Sequence, residues 1–218
     1  MKLRSSILSC IAFAAVSSVP VSATAAIDLN PKEVTVEKDS TSVQLINNGD
    51  RVEYVSVSLS RLLNPGMPLN SERLEPVGEV TQPSLYAFPF RVTLAPGQTK
   101  TITLKPLRPV ETETVYRLNV KPVIKLLGAE DRKTTANVVV NLGFSALVRQ
   151  LPSQVREGLA VTCDASGARF SVTGNVRYRV EGVKVNDAIV DSFNVYPGVP
   201  IHVPGERVDI PGHPACRR

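Results

Sequence analysis

Apolar side chains recur at every second position along most of this chain, and turn residues interrupt them about every ten residues. Val55, Val57 and Leu59 share one face. Ile102 and Leu104 alternate with Thr101 and Thr103. Tyr116, Leu118 and Val120 oppose Arg117, Asn119 and Lys121. A period of two is the signature of a half-buried strand, because successive side chains leave a strand on opposite faces. The breaks are equally readable. Asn47-Asn48-Gly49-Asp50 predicts a hairpin turn. Asn64 to Pro68, Ala95-Pro96-Gly97-Gln98 and Pro106 to Thr112 read as loops. Leu69 to Pro83 carries little periodicity. This cadence predicts an antiparallel all-β sandwich. With 43% hydrophobic and 21% charged residues, disorder and coiled coil are excluded.

One row is longer than the rest. Ala136, Val138, Val140, Leu142, Phe144, Ala146 and Val148 are apolar at every second residue. That is about 13 residues of alternation, where an ordinary strand has about 5–6. Two readings stand side by side. The row is either a long core strand or an edge strand that offers part of its apolar face to a partner by strand addition. Leu151-Pro152-Ser153 then marks a domain boundary. Beyond it, Leu159–Cys163, Arg169–Thr173, Tyr178–Val185, Ser192–Tyr196 and Ile201–Val203 predict a second, smaller sandwich. The expected division is 1–26 leader, 27–150 first domain and 151–218 second domain.

The leader has the composition of a secretory signal peptide. Lys2 and Arg4 precede an apolar stretch from Ile7 to Val21, and Ala23-Thr24-Ala25 offers a small-residue cleavage site. The stretch is shorter than the roughly 20 residues that span a bilayer, so no membrane insertion is expected. Without the leader the chain holds 23 basic and 20 acidic residues, too even a balance to attract nucleic acid. Export implies an oxidising compartment. Cys163 and Cys216 are then expected to tie the C-terminal tail to a strand, the alternative being free or differently paired thiols.

Nothing in the sequence assembles a catalyst, a metal site or a cofactor site. His202 and His213 are the only two histidines, and neither accompanies a nucleophile motif such as G-x-S-x-G. Two histidines and two distant cysteines lack the local spacing of zinc ligands. No phosphate-cradling glycine loop is present. Glu111, Glu113, Glu130 and Asp131 read as solvated loop carboxylates.

Phe90 to Leu104 (FRVTLAPGQTKTITL), Glu113 to Pro122 (ETVYRLNVKP), Ala146 to Ser153 (ALVRQLPS) and Gly174-Asn175-Val176-Arg177 occur in order. In this set, with Thr134-Thr135 and Asn141, the chain resembles the periplasmic pilus-assembly chaperones, in the branch serving colonization-factor and cable-type pili. The resemblance implies two immunoglobulin-like domains set as an L or boomerang. It implies a chaperone for major and tip pilin subunits, working with an outer-membrane usher and no nucleotide. It places Ala136, Val138, Val140 and Leu142 in the pilin's open groove as the donor strand. It also implies a cleft of cations that anchors the pilin's C-terminal carboxylate. Arg149 and Lys32 are the candidates, with Arg91 and Arg117 in reserve, and an inter-domain salt bridge is the other reading of Arg149. As an anchor, Arg149 is expected to be removable with little loss of stability. A pilin or adhesin subunit and a periplasmic binding module are the rival functions. The short, proline-interrupted Ile27-Asp28-Leu29-Asn30-Pro31 speaks against the pilin or adhesin, which needs an alternating N-terminal extension.

Overall fold

The computed structural model describes residues 26–123 and 143–217. Residues 1–25 of the expected leader, and Ala136, Val138, Val140 and Leu142, expected as the donor strand, lie outside the described residues. The described chain is all-β and forms two immunoglobulin-like sandwiches.

The first is built from β1 (Ile27–Asn30), β2 (Glu33–Val36), β3 (Thr41–Asn47), β4 (Glu53–Leu62), β5 (Leu74–Pro76), β6 (Leu85–Phe88), β7 (Arg91–Leu94), β8 (Thr99–Pro106), β9 (Thr114–Pro122) and β10 (Phe144–Gln150). One sheet has the order β1-β3-β8-β6. The other has the order β2-β10-β9-β4-β5, with β7 also on β4. Among the described strands only the β2–β10 pair is parallel, with Glu33 opposite Leu147 and Val36 opposite Gln150. The alternating faces predicted from sequence close on each other: Val55, Val57, Leu59, Ile102, Leu104, Leu118 and Val120 all join one buried core.

The expected hairpin at Asn47–Asp50 is not one. β3 belongs to one sheet and β4 to the other, so the chain crosses the sandwich there. The reason lies in the Asn47 side chain, which is fully buried. Its amide donates to the carbonyls of Arg51, Leu94 and Ala95 at 2.7, 3.2 and 3.1 Å, and its oxygen accepts from the Gly49 amide at 2.9 Å. Asn47 thus pins two crossovers to one corner, since β7 and β8 also lie in different sheets. The aperiodic stretch from Leu69 holds two short 3₁₀ turns and the short edge strand β5.

The second sandwich contains β11 (Leu159–Asp164), β12 (Gly167–Val172), β13 (Tyr178–Val180), β14 (Lys184–Val185), β15 (Ala188–Ile189), β16 (Phe193–Val195), β17 (Ile201–Pro204), β18 (Arg207–Asp209) and β19 (Cys216–Arg217). Its sheets run β11-β12-β17, β13-β16 and β15-β14-β18-β19. The stretch expected as one strand from Tyr178 to Val185 is cut in two, because Gly182 takes φ +70°. Phe170 is its largest fully buried side chain and meets Phe193 edge to face at 5.3 Å. A disulfide joins Cys163 of β11 to Cys216 of β19, the pairing expected for the two cysteines that lie beyond the leader.

Candidate functional site

Where β10 ends, the two sandwiches meet. Ala146, Val148 and Gln150 point into the first core, so alternation turns Leu147 and Arg149 outward, toward the second sandwich. On the same outer face Leu62 and Val115 pack with Leu147 against Tyr196 and Val199. The loop Asn64–Met67 docks beside them. Gly66 has φ +90°, and a Cβ there would stand 3.3 Å from the Asn194 carbonyl, so glycine suits both the turn and the close approach.

Arg149 is held by a carboxylate already in the protein. Its Nε donates to Glu113 Oε1 at 2.6 Å and its Nη2 to Glu113 Oε2 at 3.1 Å, a bidentate pair. The Arg177 backbone amide donates to the same Oε2 at 2.6 Å. Glu33 lies 2.7 Å from Arg177 Nη2 and 3.8 Å from Arg149 Nη1. Two glutamates and two arginines thus alternate across the joint. Tyr196 and Glu33 favour the Arg177 charge and outweigh the burial that opposes it, so its pKa lies above the ordinary value.

The expectation for Glu113 is corrected here. It reads from sequence as a solvated loop residue, but its side chain is 0% exposed. An isolated stretch of polar residues carries no sign that a second domain will close over it. The expectation that Arg149 can be removed cheaply falls for the same reason. Arg149→Ala would leave the Glu113 carboxylate buried without its main partner, a change that costs about 3–5 kcal/mol.

Lys32 is not brought onto Arg149. The β2–β10 register sets it about three residues back along the sheet, roughly 10 Å away. Its ammonium pairs with Asp28, pulling that carboxyl below its usual pKa, and lies 5.2 Å from the centre of the Phe144 ring. Arg117 is engaged by Glu72, and Arg91 sits opposite Ser56, toward the far end of β4 from the joint.

The sequence stretch Gly174–Arg177 acquires a physical role. A Cβ at Gly174 would fall 2.0 Å from the Arg156 carbonyl oxygen, so only glycine lets the two backbones pass. Asn175 is then buried in the joint. Its amide donates to the carbonyls of Glu111 and Gln154 at 3.0 and 2.8 Å, and its side-chain oxygen accepts from the Arg156 amide at 2.8 Å. Its carbonyl accepts from the Glu113 amide at 2.8 Å. Beside this latch Arg149, Arg177 and Arg179 line an inter-domain cleft of about 480 Å³, with Glu157 on its wall. Arg177 and Arg179 were not picked out as cleft cations from sequence, because nothing local says which side of the second sandwich faces the first.

The outer edge of β10 is a second feature. β2 covers it only over Leu147–Gln150, leaving Phe144, Ser145 and Ala146 without a ladder partner on that side among the described residues. The unpaired edge continues directly from the long apolar row.

Ser166, His202 and Asp164 also cluster, but not as a proton relay. Ser166 Oγ lies 3.2 Å and Asp164 Oδ2 3.4 Å from the same ring nitrogen, His202 Nε2, whereas a relay uses both nitrogens of the ring.

No model of a known protein family matches the sequence. Two curated proteins of Escherichia coli, both named as fimbrial subunits, are similar in sequence. The one from CS1 fimbriae is 24% identical over 173 residues, spanning 73% of this chain and 71% of that protein. The one from CFA/I fimbriae is 27% identical over 149 residues, spanning 66% of this chain and 61% of that protein. Among solved structures, the class 5 fimbriae chaperone CfaA superposes with a TM-score of 0.65 at 22% identity, covering 84% of this chain and 90% of that one. A chain of a CFA/I chaperone–tip adhesin complex gives 0.66 at 22% identity, covering 85% and 94%. A chain of the CsuC–CsuE chaperone–tip adhesion complex of Acinetobacter baumannii gives 0.56 at 14% identity, covering 82% and 90%. The chain therefore has the two-sandwich fold of the fimbrial chaperones.

Proposed function

We propose that this protein is a periplasmic chaperone for fimbrial subunits, both major and tip, which it stabilises by lending a strand and delivers to an outer-membrane usher. Residues 27–150 form the pilin-binding domain in this reading and 151–218 the smaller second domain. The observation that carries it is the half-covered edge of β10. An unpaired edge in line with an apolar row supplies both things a strand-deficient partner lacks: ladder donors and acceptors, and side chains for its open core. Ala136, Val138, Val140 and Leu142 are the donor residues, each apolar side chain worth about 1.5–3 kcal/mol on full burial. The likeness to chaperones caught with tip adhesins supports the same partner class.

The inter-domain cleft is where the pilin's terminal carboxylate would be anchored. Because Glu113 occupies the fork of Arg149, we assign the contact to the remaining edge of Arg149 together with Arg177 and Arg179, reached by displacing the half-exposed Glu33. Lys32 serves a different end of β2 and would meet the incoming strand beside Phe144.

The curated relatives bear the names of fimbrial subunits, which favours the rival reading of a structural component of the fibre. One experiment separates them. The chain is co-expressed with the pilins of its own gene neighbourhood, as wild type and as Val140→Asp. A chaperone co-purifies with a pilin from the periplasm and is absent from sheared fibres. Val140→Asp then leaves the chain folded and the pilin degraded. Incorporation of this chain into fibres would overturn the proposal, and unfolding of Val140→Asp would return the row to the core.

A further inference from the structure

A second basic cleft lies on the first sandwich, away from the Arg149 cleft. We infer that it binds a small oxyanion, a carboxylate or a phosphate, between the guanidinium groups of Arg61 and Arg108.

The placement of Arg61 is unusual. Along β4 the core-facing positions are Val55, Val57, Leu59 and then Arg61, so the arginine stem starts on the side of the sheet that elsewhere is buried. Its cross-strand neighbour on β9 is Tyr116. Arg108 reaches the same cleft from the connection between β8 and β9. The cleft measures about 600 Å³, with Val77, Val80 and Pro83 on its apolar side.

Its floor is fixed by buried polar groups. Gln150 is 1% exposed, and its amide donates to the carbonyls of Arg108 and Ser84 at 2.9 and 3.2 Å. Ser84 Oγ donates to the Gln150 side-chain oxygen at 2.9 Å and lies 2.7 Å from the Tyr116 hydroxyl. These bonds hold the Arg108 backbone in place.

The charges are not balanced from within. Arg108 Nη1 donates to the neutral Gln82 side chain at 2.6 Å. The Arg61 side chain has neither a hydrogen bond nor an ion pair among the described residues. Glu75 lies across the strand from Arg61, and Glu111 stands on the cleft rim, but neither forms an ion pair with either arginine. Both guanidiniums act electrostatically on the Tyr116 phenol, whose pKa burial raises and whose Ser84 bond and arginine neighbours lower. Two cations facing one cleft with a fixed polar floor are complementary to an anion that accepts from both.

The test uses the chain's own fluorescence. It has no tryptophan and five tyrosines, so tyrosine emission reports on Tyr116, with Tyr116→Phe as the control. Inorganic phosphate and acetate represent free anions. A capped hexapeptide with one aspartate, and its asparagine twin, represent a protein carboxylate. Saturable binding of at least one anionic probe at low salt is expected. Arg61→Gln and Arg108→Gln should each weaken it roughly tenfold or more, as loss of one charge-assisted bond predicts. Lys100→Gln, an exposed cation on the other sheet that lines neither cleft, should leave it unchanged. Preference for the aspartate peptide over phosphate would assign the source to a protein, and the reverse to a free anion. Binding unchanged by Arg61→Gln, or no binding by any probe at millimolar concentration, overturns the inference. Neither result bears on strand lending.

Discussion

The two sandwiches reach stability by different means. The first has strands as long as Glu53–Leu62 and a continuous core in which Leu29, Val36, Val43, Leu45, Leu94, Ile102, Leu104 and Leu118 are all fully enclosed. The second has strands of two to six residues and a core gathered around Phe170. A small domain buries a smaller fraction of its surface, so each core side chain carries more of the total. The disulfide and the Asn175 latch supplement it. Stability in this chain is therefore graded, with the second sandwich depending on ties from outside its own core.

The largest expected effect tests that grading directly. Phe170→Ala should cost about 3–5 kcal/mol, and Leu118→Ala about 2–5 kcal/mol. The first change should unfold the second sandwich while amides of β3, β8 and β9 remain protected in hydrogen exchange. The second should lower the melting of the first sandwich without abolishing it. Simultaneous loss of protection in both would mean that the joint makes them one cooperative unit.

Next comes the disulfide. Cys163 and Cys216 are 53 residues apart, and the bond should contribute about 2–4 kcal/mol through the loop it closes. Replacing both by serine should lower only the second transition in calorimetry. A fall in the first transition instead would show that the tail braces the joint.

Third in size is Asn47. Asn47→Ala strands the carbonyls of Arg51, Leu94 and Ala95 in a buried corner, at about 1–3 kcal/mol, all in the first sandwich. Urea unfolding followed on the first sandwich should show it, and an unchanged midpoint would mean that water replaces the amide.

Asn47 also marks the limit of what was legible in the sequence. Periodicity gave the buried faces of β4, β8 and β9 correctly, because which side of a strand is apolar is written in the strand itself. Which strands pair is not. Asn-Asn-Gly-Asp looks like a hairpin turn whether the next strand folds back or crosses to the other sheet, and the deciding partners lie at Leu94 and Ala95. The short strands β15, β18 and β19 hold too few residues to show any period. In the candidate site, Arg149 was singled out only through the family resemblance, not by any local pattern of its own. Its partner Glu113 was not, since the burial comes from a second domain 64 residues later, at Arg177. Arg61 went unremarked because a single arginine in a strand pattern reads as an outward residue.

The smallest expected effect is electrostatic and confined to the second sandwich. The Asp164 carboxyl is held at about 2, first by the Ser166 hydroxyl, then by the Ser166 amide, with His202 adding a smaller pull against a slight burial cost. A carboxyl whose folded pKa is depressed stabilises the fold above its unfolded value and loses that contribution as pH falls through the folded one. The window here runs from just under pH 4 down to about pH 2. Melting of the second sandwich should therefore decline across that interval by an amount that Asp164→Asn isolates. The asparagine keeps the turn's acceptor for the Ser166 amide but cannot titrate, so the variant's decline should be shallower by the Asp164 share alone. Ser166→Ala removes the strongest pull and should move the carboxyl back toward its ordinary value, making the decline smaller and ending it at a higher pH. The turn sits beside Cys163, so both changes should leave the first transition untouched at every pH. Identical acid profiles for the wild type and Asp164→Asn would show that this exposed carboxylate adds nothing. The difference between the sandwiches would then rest on core size, the disulfide and the Asn175 latch alone.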